Sequence, residues 1–219
     1  HTTAIDRLLE GVRAYFELPL AIVSAIDGET YSVEHVVDDS KAIIAGDRFD
    51  LRETYCERVI ALEQPLYVHN ASASLFREHP CYQAMHLETY IGVRLFVGGR
   101  VYGTLNLTAS EPRAEPFSAE DVAVFETAAA LISQRIALKE AEARFLLAVQ
   151  GSSVGLWDWD VRTKKLFCSP RFKEIVGLPS DDRLISFDVL EDLIHPEDKG
   201  WVVDAVEAHL VERKPFDVE

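Results

Sequence analysis

The amino-acid sequence predicts an α+β fold: an antiparallel sheet with flanking helices, continued by a long connecting helix into a second, partial α/β unit. Three observations predict it. Asp27-Gly28 and Gly98-Gly99 each separate two strand-like runs, and such pairs supply the positive φ that tight hairpin turns require. Short runs with apolar residues at helical spacing lie before and between the hairpins. Residues 118–150 contain neither proline nor glycine. At 1.5 Å per residue such a helix is roughly 50 Å long, beyond the common globular range of about 8–20 residues.

Taken in order, residues 4–17 carry a helical apolar pattern that ends before Pro19. Residues 20–26 (LAIVSAI) read as a buried strand and residues 30–37 (TYSVEHVV) as its alternating return strand. Residues 41–50 read as a loop, 51–63 as a helix closed by Gln64-Pro65, and 66–70 as a short strand. Pro80 interrupts residues 71–88, so two short helical pieces are expected there. Residues 90–97 and 100–108 form the second hairpin. With hairpins dominating, the sheet is expected to be largely antiparallel with helices to one side.

Ser118 and Asp121 open the long helix as a capping-box-like pair, and Gly151 is its expected stop. Two apolar stripes run along it. Val122, Phe125, Ala129, Ile132 and Ile136 form the first, which fades at Lys139. Leu131, Leu138 and Phe145, one heptad apart, form the second, with Val124, Ala128 and Val149 between and beyond them. The first half therefore reads as docked on a domain, and the second as a dimer seam pairing with the same helix of another chain.

Composition excludes several classes. A net charge of −15 argues against nucleic-acid binding and against direct membrane contact. No apolar run approaches the roughly 18 residues of a membrane span, and no signal peptide is visible. Cys56, Cys81 and Cys168 are widely spaced and form no CxxC pair, which fits a reducing cytoplasm and no disulfide framework. The chain opens HTTAID and stops at Asp217-Val218-Glu219, the ends expected of a piece of a longer protein.

Thr54-Tyr55-Cys56, Tyr90-Ile91-Gly92-Val93, Gly103-Thr104-Leu105 and Phe117-Ser118-Ala119-Glu120-Asp121 follow one another in an order that resembles a GAF domain. The resemblance covers about residues 4–137, giving a sensory domain over 1–137 whose last helix starts near 118, and a helical connector over 138–150. After Gly151 a second set appears: Gly155-Leu156-Trp157-Asp158-Trp159-Asp160, Ser169-Pro170-Arg171-Phe172, Ile175-Val176-Gly177-Leu178 and Ile194-His195-Pro196-Glu197-Asp198. It resembles the N-terminal half of a PAS domain, over 151–219. That resemblance implies a core containing Trp157, Trp159 and Phe172. It also implies about three further strands beyond Phe216, so the Trp157 and Trp159 region is expected to be under-packed unless another chain covers it.

Candidate chemistry is sparse. Cys56 reads either as a reactive thiol or as a small buried hydrophobe, and its place in a Tyr-Cys pair favours the second. Some GAF domains link a bilin through a cysteine near Cys81, but here Tyr82 follows it where histidine is usual. Free methionine sulfoxide reduction would need a paired nucleophile and resolver, which Cys56 and Cys81 do not resemble. Of the cyclic-nucleotide GAF signature only Phe117 and Asp121 are echoed. His69, His79 and His86 lack metal-ligand spacing, nothing selects His195 or His209 for haem, and Cys168 lies in no flavin motif. Carboxylates 197 and 198, after His195-Pro196, read as the cap of a helix. No nucleophile elbow, P-loop or GxGxxG is present. No catalytic residue, metal or cofactor is predicted.

The residues therefore predict the sensory part of a signalling protein whose output module, a histidine kinase or diguanylate cyclase by family resemblance, follows. The pocket is expected between the sheet, the 51–63 helix and the short helices after Ala71, lined by Tyr55, Cys56, Asn70, Tyr90 and Asn106. A small-molecule ligand and a homodimer through the long helix are the expected partners. Two alternatives stay open: a ligand-free dimerisation and spacing module, and a bilin photoreceptor attached at Cys81.

Overall fold

A computed structural model describes residues 2–151, 153–179 and 185–217 of the chain, in two compact units, residues 1–141 and 142–219. The first unit begins with helix α1 (Ala4–Phe16), opened by a reciprocal box in which Asp6 N–H donates to Thr3 Oγ1 and Thr3 N–H to Asp6. Strands β1 (Leu20–Asp27) and β2 (Thr30–Asp38) form the first hairpin. Residues 41–50, expected as a loop, end in a three-residue strand, β3 (Arg48–Asp50), paired with Thr30–Ser32 at the sheet edge. So short a strand shows no periodicity of its own; the ladder to β2 makes it.

The helix expected over 51–63 is shorter and broken. A 3₁₀ turn, Leu51–Glu53, gives way at Thr54, whose φ of −116° and ψ of 152° are extended and whose hydroxyl donates to Leu51 C=O. Helix α2 is then only Cys56–Ala61. Strand β4 (Leu66–Val68), a 3₁₀ turn (Leu75–Glu78) and helix α3 (Pro80–Met85) follow, with Pro80 at the first turn of α3. Strands β5 (Thr89–Val97) and β6 (Arg100–Ala109) meet at Gly98 and Gly99, both at positive φ. The sheet order is β3-β2-β1-β6-β5-β4, antiparallel throughout.

Helices cover both faces of this sheet, not one. Strand alternation sorts the residues. Ala21, Val23, Ile91, Leu95, Leu105 and Leu107 meet α1 and helix α4 (Ala119–Gly151), which contributes Phe125, Ala128, Ala129, Ile132 and Ile136. Ile22, Tyr31, Val33 and Tyr90 meet the opposite layer, formed by Tyr55, Cys56, Val59 and Cys81. The single-face expectation came from counting hairpins; the short α2 and α3 are enough to roof the other side.

Helix α4 starts as expected. Ser118 N–H donates to Asp121, Asp121 N–H donates to Ser118 Oγ, and Arg113 lies 3.2 Å from the same carboxylate. One residue pair assigned to the second stripe belongs to the first: Ala128 is buried in the core and Val124 packs against it. Leu131, Leu138 and Phe145 are 45%, 51% and 61% exposed, so the free face begins at Leu131.

In the second unit, β7 (Trp157–Asp160), β8 (Lys165–Cys168) and β9 (Ile185–Ser186) form an antiparallel sheet, with α5 (Pro170–Ile175), α6 (Phe187–Glu191) and α7 (Lys199–Glu212) around it. Ser169 holds α5, its Oγ accepting from the N–H groups of Leu156 and Phe172. The polar loop expected over 179–184 lies, beyond Pro179, outside the described residues. Residues 195–198 form a turn just before α7 rather than its first turn, and the Asp198 side chain makes no cap bond. Instead Asp198 accepts from Trp201 Nε1 at 3.2 Å.

Trp157, Trp159 and Phe172, expected as core, are not fully buried, and the region of the two tryptophans is under-packed, as also expected. Among the described residues of this unit, Leu166, Cys168, Ser169 and Lys173 are buried, whereas Trp157 is 38% exposed, and Trp159 and Phe172 are half-buried. Trp159 stacks on Phe187 at 4.2 Å and Trp157 meets Phe216 edge-on at 6.0 Å. Two short helices, α7 and a three-stranded sheet leave both indoles partly uncovered.

Candidate functional site

Beneath the roof of α2 and α3 a cavity of about 50 Å³ lies against the sheet. Its floor is Ile22 of β1, Tyr31 of β2, Tyr90 of β5, and Asn106 and Thr108 of β6; Tyr55, Cys56 and Cys81 face them from the roof. Four of the residues expected to line a pocket, Tyr55, Cys56, Tyr90 and Asn106, border this cavity, and Cys81 does as well. Asn70 does not. Its Oδ1 accepts from Ser72 Oγ and Ala73 N–H, both at 3.0 Å, fastening the turn that leads toward α3.

Sequence reasoning passed over Ser24, Tyr31, Thr104 and Thr108. For the two threonines the signal was present in TLNLT: Thr104, Asn106 and Thr108 alternate with Leu105 and Leu107, so one face of β6 is polar and the other apolar. In a strand buried on both faces, a polar row implies a polar network. That network exists. Ser24 Oγ and Thr104 Oγ1 are 2.9 Å apart, Thr104 Oγ1 donates to Cys56 Sγ at 3.2 Å, and the Tyr90 hydroxyl lies 3.2 Å from the same sulfur. Asn106 Nδ2 donates to the Tyr31 hydroxyl at 2.9 Å. One chain of contacts thus ties β1, β6, α2 and β5.

Gly92 makes this geometry possible. A Cβ there would fall within the Tyr90 hydroxyl, so the phenol can lie back along its own strand only over a glycine. Nothing charged borders the cavity. Burial raises the phenols of Tyr31 and Tyr90 well above the ordinary tyrosine range, and it raises Tyr55 and Cys56 as well. Cys81 is pushed up to about 12, chiefly by burial. Neutral thiols are poor nucleophiles, so neither cysteine is poised for attack.

The histidines take structural places. His79 Nδ1 accepts from Cys81 N–H at 3.1 Å, capping α3, and its ring lies 5.0 Å from that of Tyr55. His86 closes α3 in the left-handed region at φ 51°. Among the described residues, no group of three or more His, Cys, Asp or Glu side chains is placed to hold a metal ion, and no helix is long and apolar enough to cross a membrane.

With this geometry in place, comparison with known proteins assigns the family. Residues 1–136 match the GAF domain and residues 165–219 match the PAS fold. Among solved structures, the GAF domain of an Acinetobacter phosphoenolpyruvate-protein phosphotransferase is similar at a TM-score of 0.53 and 18% identity, over 64% of this chain and 84% of that one. The blue-light-absorbing form of the Thermosynechococcus elongatus PixJ GAF domain is similar at 0.53 and 15% identity, over 67% and 90%. The phycocyanobilin-bound GAF domain of a cyanobacterial phytochrome gives 0.51 and 12% identity, over 63% and 86%. At such identities the likeness is one of fold. No curated protein matches the sequence. GAF and PAS domains are sensory and regulatory, and the chain belongs to the GAF domain family, its GAF domain followed by a PAS fold.

Proposed function

We propose that this chain detects occupancy of the small GAF cavity and passes the change through α4, paired with the same helix of a second copy, to an output domain of the histidine kinase or diguanylate cyclase kind. One observation carries the reading. The central strands place cavity residues and α4 contacts alternately along the same backbone: Tyr90, Asn106 and Thr108 face the cavity, while Ile91, Leu105 and Leu107 face the core that Phe125, Ile132 and Ile136 complete. A displacement of one face therefore moves the other, and the coupling is bounded by the difference in ligand affinity between the two states.

Pairing is supported by the exposed Leu131, Leu138 and Phe145, spaced as one heptad seam. In the full chain, Leu138→Cys is expected to form an interchain disulfide under mild oxidation, with the native cysteines buried and out of reach. A chain that stays uncrosslinked at micromolar concentration contradicts the parallel dimer.

The small size of the cavity favours a second reading, a dimerisation and spacing module that binds nothing. It makes a different prediction: no small molecule shifts the unfolding midpoint. The photoreceptor alternative draws no support, because a buried Cys81 and about 50 Å³ leave no room for a tetrapyrrole. Expression alongside bilin synthesis is expected to give a colourless protein.

A further inference from the structure

The amide of Asn106 is oriented by its neighbours. Thr104 Oγ1 donates its one proton to Cys56 Sγ at 3.2 Å, so toward Asn106 it can only accept. Asn106 Nδ2 therefore faces it, at 3.4 Å, and also donates to the Tyr31 hydroxyl at 2.9 Å. Both amide protons are used, and the carbonyl end is turned away from Thr104. Thr104 lies off the cavity wall, whereas Thr108, on the same face of β6, lies on it, so Asn106 Oδ1 is left on the cavity side. Among the described residues nothing donates to this oxygen. Thr108 Oγ1 also lacks a partner, but it is sealed within the wall.

An open acceptor on this wall selects a ligand by what the ligand can donate. Thr54 and Tyr55 spend their hydroxyl protons on the carbonyls of Leu51 and Leu87, and the Tyr31 and Tyr90 hydroxyls are engaged with Cys56. A ligand carbonyl would find no free donor to meet it, which disfavours ketones and amides. Nothing charged borders the cavity, which disfavours ions, protonated amines included. A lone water would have one firm partner among Ile22, Ile43, Phe49 and Leu87, where a buried water has about two to four. At roughly 10–15 Å³ of such space per water-sized group, the cavity takes about three to five non-hydrogen atoms.

We propose that the cavity selects small neutral hydrogen-bond donors and takes a short-chain aliphatic alcohol, its hydroxyl donating to Asn106 Oδ1 and its alkyl groups against Ile22, Ile43 and Leu87. This rests on the reading of the cavity as the sensory site and names its ligand class. The bound oxygen acts as donor, the one role that the amide carbonyl can complement. So few atoms limit the affinity to about tens of micromolar at best, which suits a compound present at high concentration.

The test uses the full chain, ¹⁵N-labelled, with three probes: 2-propanol; acetone, of similar shape but without a donor; and xenon, an apolar occupant with no hydrogen-bonding atom. Saturable shifts of the amides of β6 and α3 are expected with 2-propanol and xenon, and acetone is expected to bind about tenfold more weakly than 2-propanol. Asn106→Leu, close in volume but without the carbonyl, is expected to weaken 2-propanol about tenfold, to the level of acetone, while leaving xenon unchanged. The alcohol–ketone comparison in the parent decides the matter if that variant fails to fold. Equal affinity of the parent for acetone and 2-propanol, or unchanged 2-propanol affinity in a folded Asn106→Leu, overturns the assignment. Entry of xenon without 2-propanol also overturns it but leaves the cavity available as a sensory site. Exclusion of all three removes the ligand class and the sensory reading together.

Discussion

His79 sits where a proton is unwelcome. Burial, and then the Arg58 cation, lower its pKa from the ordinary 6.5. As the pH falls below about 6.5 the unfolded chain takes up a proton that the folded chain refuses, so stability falls through that range and is unaffected above it. His79→Asn keeps an acceptor for Cys81 N–H without a titrating ring. Urea unfolding at about pH 7.5 and about pH 5.5 is expected to show a smaller difference in this variant than in the parent. At Gly92 the added methyl of Gly92→Ala displaces the Tyr90 ring and with it the contact to Cys56; the loss is expected near 1–3 kcal/mol by the same measurement. Residue-scale legibility was uneven for a physical reason. Tyr55, Cys56, Tyr90 and Asn106 stand in recognisable local patterns, and the alternation of β6 already placed Asn106. Thr108 Oγ1 is buried without a partner, and the absence of a partner is a property of three-dimensional neighbours alone.

Among the elements, α4 does two things with one sequence. Its first stripe closes the core beneath the sheet: Phe125 meets Phe16 edge-on at 5.7 Å, and Ser133 Oγ accepts from Phe96 N–H at 3.2 Å. Ile132→Ala is therefore expected to destabilise the first unit by about 2–5 kcal/mol, the range for truncating a fully buried aliphatic side chain. Leu138→Asp is expected to leave that unit's unfolding within about 0.5 kcal/mol of the parent, because the site is exposed, while a sedimentation experiment shows dimer lost. Long periodic helices and glycine-marked hairpins could be read from the sequence because their periods repeat. Residues 48–50 could not, since a three-residue strand exists only through its ladder to β2, and neither could the break at Thr54, where a side chain-to-carbonyl bond competes with the helix.

For the whole molecule, the GAF fold places a nearly filled, uncharged cavity and a partly exposed helix on opposite sides of the same central strands. A cavity this small is suited to modest changes in packing, and packed layers have discrete arrangements more than continuous ones. Pairing of α4 would convert a small shift of Leu105 and Leu107 into a changed register along Leu131, Leu138 and Phe145. The most direct test attaches spin labels at Leu138→Cys in the full chain and measures the interchain distance with the cavity empty and under xenon pressure. A defined interchain distance that changes when xenon enters is expected. A single distance distribution, identical with and without xenon in the cavity, would contradict it.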